Sequence, residues 1–123
     1  MDINKLTKAE EEIMHFIWNH GPTTVSALIG RMNEPHPPHS TISSIVRILE
    51  RKSFLDHQVY GRTYQYFPLI TKIDYSRYSI KRIISKYFEG SMNQLVTFLV
   101  KENELSVNDL SQILEQLAKK DKS

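Results

Sequence analysis

Apolar residues recur along this chain at helical spacing, interrupted once by a stretch that alternates. In "LTKAEEEIMHFIWNHG" they fall at Ala9, Ile13, Phe16 and Ile17, the stripe of a one-sided helix. Thr7 followed by Glu10 has the spacing of a capping box, and Gly21-Pro22 ends the run. "TTVSALIGRM" predicts a second, shorter helix, capped by Thr23 or Thr24, with Val25, Leu28, Ile29 and Met32 inward. The three prolines of "NEPHPPH" forbid a helix over Asn33–His39. A third helix is expected in "STISSIVRILERK", capped by Ser40 or Thr41, with Ile42, Ile45, Val46 and Leu49 as its buried stripe.

The alternating stretch follows. "FLDHQVY" and "TYQYFPL" flank Gly61-Arg62, which predicts a hairpin with a tight turn. By the strand's period of two, Tyr64 and Tyr66 share one face and Gln65 and Phe67 the other.

Helical spacing then returns. Ile80, Ile83, Ile84, Tyr87 and Phe88 form a stripe that Gly90 is placed to end. Met92, Leu95, Val96 and Leu99 form the next. Val107, Leu110, Ile113, Leu114 and Leu117 form the last, begun by Ser106 with Asp109 as its box partner. The order helix, helix, helix, hairpin is that of a winged helix-turn-helix. The predicted class is mainly α (α+β). Composition shifts near Leu69–Ile73, so residues 1–70 are read as a DNA-binding domain and 71–123 as a three-helix dimerisation module. Its amphipathic helices have little else to bury their stripes against.

Composition narrows the classes. A chain of 123 residues buries a limited share of its surface, and pairing with a second copy would help it. There is no cysteine, so disulfides and thiolate metal sites are excluded. No apolar run reaches the roughly 18 residues of a membrane span. The N-terminus lacks an apolar signal core, so a cytoplasmic protein is expected. The formal net charge of +2 is informative only through its placement. No GxSxG, Walker loop or GxGxxG occurs, so no enzyme activity and no cofactor are expected. His36 and His39 sit on the proline-rich loop, where a surface role outweighs a metal site, while His15, His20 and His57 stand alone.

The candidate chemistry is therefore nucleic-acid binding. Ser40, Thr41, Ser43 and Ser44 open the third helix, and small hydroxyl residues let a helix sit deep in the major groove. Arg47, Arg51 and Lys52 would meet the backbone or a guanine. In a winged helix the hairpin lies over the phosphates, so Arg62 at its tip would reach a phosphate or a minor groove, with Tyr60 or Tyr64 adding a hydrogen bond. The plainer reading is a capped, solvated helix and an edge hairpin kept soluble by its arginine. A winged-helix interaction module without sequence-specific DNA binding is the alternative function.

The segments "LTKAEEEIMHFIW", "STISSIVRILERKSFL", "GRTYQYFPLI", "FEGSMNQLV" and "ELSVNDLSQILEQL" together resemble the BlaI/MecI penicillinase-repressor family, from about Leu6 to Leu117. The resemblance implies a homodimeric transcriptional repressor on a palindromic DNA operator, of the kind that regulates antibiotic resistance. It implies operator-reading positions at Ser40, Thr41, Ser43, Ser44 and Arg47, and a wing arginine at Arg62. It further implies inactivation by proteolysis in the dimerisation region, signalled by a membrane-bound metalloprotease sensor of β-lactams or of the cell envelope. The bond cut in characterised members falls at about Phe98-Leu99, where this chain lacks the Asn-Phe pair. Ile48 stands where the family usually has arginine. The cysteine-rich tail of the copper-responsive branch is absent.

Overall fold

A computed structural model describes residues 5–121, with side chains described as far as Lys119. The elements run α1 (Lys8–His20), α2 (Val25–Gly30), α3 (His39–Arg51), β1 (Leu55–Tyr60), β2 (Thr63–Pro68), α4 (Lys72–Tyr87), α5 (Met92–Lys101) and α6 (Val107–Asp121). Contacts divide the chain into two compact units, Met1–Tyr78 and Ser79–Ser123. The division falls inside α4 and not in the Leu69–Ile73 stretch.

The first unit is a winged helix-turn-helix. Its α1 begins with the expected box: the Thr7 hydroxyl accepts from the Glu10 amide at 3.2 Å, and the Glu10 carboxylate accepts from the Thr7 amide at 2.9 Å. The buried stripe is rotated from the expected one. Ala9 is exposed, and Glu10, Ile13, Met14 and Ile17 face inward. A carboxylate can take that place because Lys52 reaches it at 2.7 Å.

Thr24 caps α2, its hydroxyl accepting from the Ala27 amide at 3.1 Å. Thr23 has a different task. Its amide and carbonyl pair with Tyr66 at 2.9 and 2.8 Å, a one-residue bridge on the free edge of β2. The helix α3 starts at His39, before the residues expected to cap it. Pro38 occupies the cap position with no side-chain bond, and its carbonyl accepts from Thr41 and Ile42. Proline serves there because the position requires an extended residue and no amide hydrogen.

The end of α3 sets the path into the wing. Ser53 adopts φ 67°, the Ser53 amide donates to the Glu50 carbonyl, and the Phe54 amide donates to the Leu49 carbonyl. This is a Schellman cap with serine where glycine is usual, and its flanking Leu49 and Phe54 are both fully buried in the core. The strands β1 and β2 are antiparallel, Leu55 opposite Pro68 and Tyr60 opposite Thr63. The turn is thus the predicted Gly61-Arg62, with Gly61 at φ 63°, as a glycine-first hairpin turn requires.

The core gathers Ile13, Met14 and Ile17 of α1, Leu28 of α2, Val46 and Leu49 of α3, and Phe54 and Leu55 at the foot of the wing. Two distant contacts seal it. The Trp18 indole donates to the Ile70 carbonyl at 2.8 Å, and the Leu6 amide donates to the buried Tyr75 hydroxyl at 3.1 Å. Tyr75 also packs on Trp18 and Phe54 with ring centroids 5.9 and 5.6 Å away. The first turns of α4 therefore belong to the winged-helix core.

The second unit holds the remainder of α4 with α5 and α6. Ser91 caps α5, and Ser106 with Asp109 forms the predicted box at the start of α6. Ile84 is buried and Phe88 meets Phe98 at 5.5 Å, yet α5 buries none of its residues. Among the described residues, no helix is long and apolar enough to cross a membrane.

Candidate nucleic-acid interface

Helical geometry sorts the α3 side chains. Ser40, Ser43, Ser44, Arg47 and Arg51 recur at i, i+3, i+4, i+7 and i+11 and so share one face. The buried Ile42, Val46 and Leu49 lie on the opposite face. Ser40, Ser44, Arg47 and Arg51 are exposed and Ser43 is half-buried. Because Pro38 caps the helix, none of these hydroxyls is used as the cap. Thr41 is also exposed but lies off this stripe, on its flank.

The hairpin approaches the same face. Ser43, Arg47, Arg62 and Tyr64 line one cavity of about 280 Å³, together with His39, Ser26 and Thr24. Four of the residues singled out from sequence are therefore brought together, while Ser40, Thr41, Ser44 and Arg51 lie outside the cavity walls. Thr24, Ser26 and His39 join it from the start of α2 and the first turn of α3. Only the fold could reveal the α2 residues, since they are far from α3 in the chain. His39 was assigned to the loop and is in fact helical.

Tyr64 is held from the side. Its ring stacks on His57 at 4.4 Å and 15°, and His57 faces its strand partner Tyr66. Burial, reinforced by the charge of Glu50, pushes the Tyr66 phenol above its ordinary pKa of 10.0, so it stays neutral. His57 does not stand alone: its Nδ1 lies 2.9 Å from Glu50 and 4.0 Å from Asp56. His15 and His20 also have partners, Glu11 and Arg31 at 3.5 and 3.3 Å. Apart from His57 with its neighbour Asp56, these pairings join successive turns of a helix or different elements, which a search along the chain passes over.

The predicted dimerisation residues divide. Ile80, Ile83, Tyr87, Ile113, Leu114 and Leu117 are exposed. Phe88, Leu95, Leu99 and Leu110 are half-buried. Ile84 is only 7% exposed within its own chain, so it cannot be a main contact for a partner. Ile73 and Phe98 are exposed apolar residues that the stripes did not include, and Met92 and Val107, which the stripes include, are exposed as well. Phe98-Leu99 lies inside α5.

The profile of the penicillinase repressor family matches residues 6–119. The penicillinase repressor of Bacillus licheniformis is 28% identical over 118 residues, covering 93% of this chain and 92% of its own. The methicillin resistance regulatory protein MecI of Staphylococcus aureus (strain N315) is 27% identical, covering 94% and 95%. The solution structure of Bacillus licheniformis BlaI, in monomeric form in complex with the blaP half-operator, aligns with a TM-score of 0.51 and 29% identity. That alignment covers 60% of this chain and 92% of the other. The DNA-binding domain of the repressor BlaI aligns over the same shares with a TM-score of 0.53.

Proposed function

This chain belongs to the penicillinase repressor family, and we propose that it represses transcription by holding a palindromic operator as a homodimer. It is a DNA-binding transcriptional repressor; the proposal concerns which residues bind and how two copies cooperate. The observation that carries it is the shared cavity of Ser43 and Arg47 on α3 with Arg62 and Tyr64 on the wing. A helix face of small hydroxyls and arginines beside a cationic hairpin suits one groove and its flanking phosphates. The family member from Bacillus licheniformis binds a half-operator as a monomer, which supports one winged helix per half-site.

In this reading α3 enters the major groove. Ser40, Ser43 and Ser44 meet base edges, Arg47 and Arg51 meet guanine or phosphate, and Arg62 and Tyr64 meet the backbone. Thr41 flanks the groove-facing stripe. The exposed apolar faces of Ile80, Ile83, Tyr87, Ile113, Leu114 and Leu117 support a second copy as the partner of the Ser79–Ser123 unit. Joining two half-site readers makes the second contact intramolecular, with avidity gains of about 10² to 10⁴.

Release follows from the same design. A cut in the second unit, made in response to a membrane-bound metalloprotease sensor of a β-lactam or cell-envelope signal, removes the avidity and leaves the DNA-facing residues intact. A cut at Phe98-Leu99 requires α5 to open first, because the bond is helical. Footprinting on the DNA upstream of the protein's own gene tests the proposal. Two symmetry-related protected half-sites are expected; protection of one isolated half-site contradicts the dimer.

A further inference from the structure

We propose that Glu50, Asp56 and His57 form a binding site for a first-row divalent metal ion of the Zn²⁺ class. The site lies where α3 hands over to β1. Glu50 comes from the last turn of α3, and Asp56 and His57 come from the start of β1. One donor atom from each lies within 4.8 Å of the other two.

The spacing suits such an ion. Metal–nitrogen and metal–oxygen bonds of about 2.0–2.2 Å at tetrahedral angles set donor atoms about 3.3 Å apart. The Nδ1 of His57 is 2.9 Å from Glu50 Oε1 and 4.0 Å from Asp56 Oδ1, which brackets that value. The donors are held by a rigid frame: Leu49, Phe54 and Leu55 are at most 1% exposed. The imidazole is clamped by the rings of Tyr64 and Tyr66. One imidazole and two carboxylates form a nitrogen and oxygen donor set that Zn²⁺, Ni²⁺ or Co²⁺ accepts and Cu⁺ does not favour.

Charge points the same way. Among the described residues, neither carboxylate has a lysine or arginine within 4.0 Å, and their only ionic contact is the imidazole. A divalent ion neutralises the pair. It takes the Nδ1 lone pair: an imidazolium gives up its Nδ1 proton to solvent, and a neutral ring protonated at Nδ1 exchanges that proton for one on Nε2. Asp56 is exposed, so water completes the coordination. Such an ion ties the end of α3 to the foot of the wing. Its occupancy is read without DNA.

The test uses the full chain, freed of metal and titrated with Co²⁺, followed by visible absorption, and with Zn²⁺, followed by calorimetry and thermal unfolding. One ion per chain, a raised unfolding temperature and displacement of Co²⁺ by Zn²⁺ are expected. His57→Phe keeps an aromatic ring for the stack and removes the nitrogen; it should weaken uptake about tenfold or more. Glu50→Gln should weaken it too and serves where His57→Phe does not fold. The double substitution His36→Ala with His39→Ala should leave uptake unchanged. No uptake at millimolar metal overturns the site. So does uptake that survives both His57→Phe and Glu50→Gln, or that disappears with His36 and His39.

Discussion

The carboxylate of Glu10, at the start of α1, accepts from the ammonium of Lys52, at the end of α3, across 2.7 Å and 42 residues of sequence. Glu10 also closes the capping box with Thr7, so one side chain caps α1 and ties it to the end of α3. Burial alone pushes the Glu10 carboxyl up. The hydrogen bonds from Lys52 and Thr7 and the Lys52 charge outweigh it and hold the group below the ordinary 4.5. Glu10→Ala should cost about 2–3 kcal/mol, the range for a hydrogen bond to a charged group plus a lost cap. Glu10→Gln, which retains the box, should cost less. The sign of the pH dependence follows. A depressed carboxyl contributes stability above its unfolded-state pKa and loses it as pH falls through the folded-state value. Wild-type stability should therefore fall below about pH 4.5, and Glu10→Gln should flatten that limb. Denaturant unfolding across pH reads both.

Ser53 sits at φ 67° in the cap of α3, a region that costs a residue with a Cβ about 1–2 kcal/mol. Ser53→Gly should stabilise the protein, by less than that cost because glycine also loosens the unfolded chain. Thermal unfolding gives the sign. A drop would mean that the serine side chain contributes more than its backbone strain.

Arg62 and the α3 serines should fail differently. Arg62→Ala should weaken binding to every duplex and lower the salt slope by about 1, as loss of one phosphate contact does. Ser43→Ala and Ser44→Ala should instead change preference among operator variants. Equal losses on operator and random DNA for the serine variants would remove them from base readout.

The Leu6 amide and the Tyr75 hydroxyl predict where the winged helix can be cut. A fragment ending at Tyr78 should fold, whereas one ending at residue 70 loses Tyr75 from the core. Tyr75→Ala should cost about 3 kcal/mol or more, as loss of a large buried ring does. Circular dichroism and thermal melting of the two fragments decide this. Folding of the shorter fragment with undiminished stability would contradict the division at Tyr78.

Much of this architecture is legible in the pattern of residues. Thr7 with Glu10, Ser106 with Asp109, and Gly61 before Arg62 are local signals, and local geometry satisfies them. What escaped is tertiary. Glu10 could be buried in place of Ala9 only because Lys52 arrives from another helix. Tyr75 and Tyr78 follow the Leu69–Ile73 stretch at which the sequence was divided, yet the Tyr75 ring packs with Phe54 and Trp18, and Tyr78 packs on Tyr75. Ile84 shares a stripe with Ile80 and Ile83 but is covered by its own chain. Thr24, Ser26 and His57 carry no motif; they acquire a place only when α2, α3 and the wing come together.

The central claim is that two winged helices, joined through their second units, read one operator. The most direct measurement is a titration of the full chain and of residues 5–78 against the DNA upstream of its own gene and a random duplex, at two salt concentrations. The account predicts two protomers per site, selectivity and steep salt dependence for the full chain, with affinity lower by about 10² or more for the fragment. Equal affinity of the two proteins for that DNA, or equal affinity of the full chain for both duplexes, would contradict it.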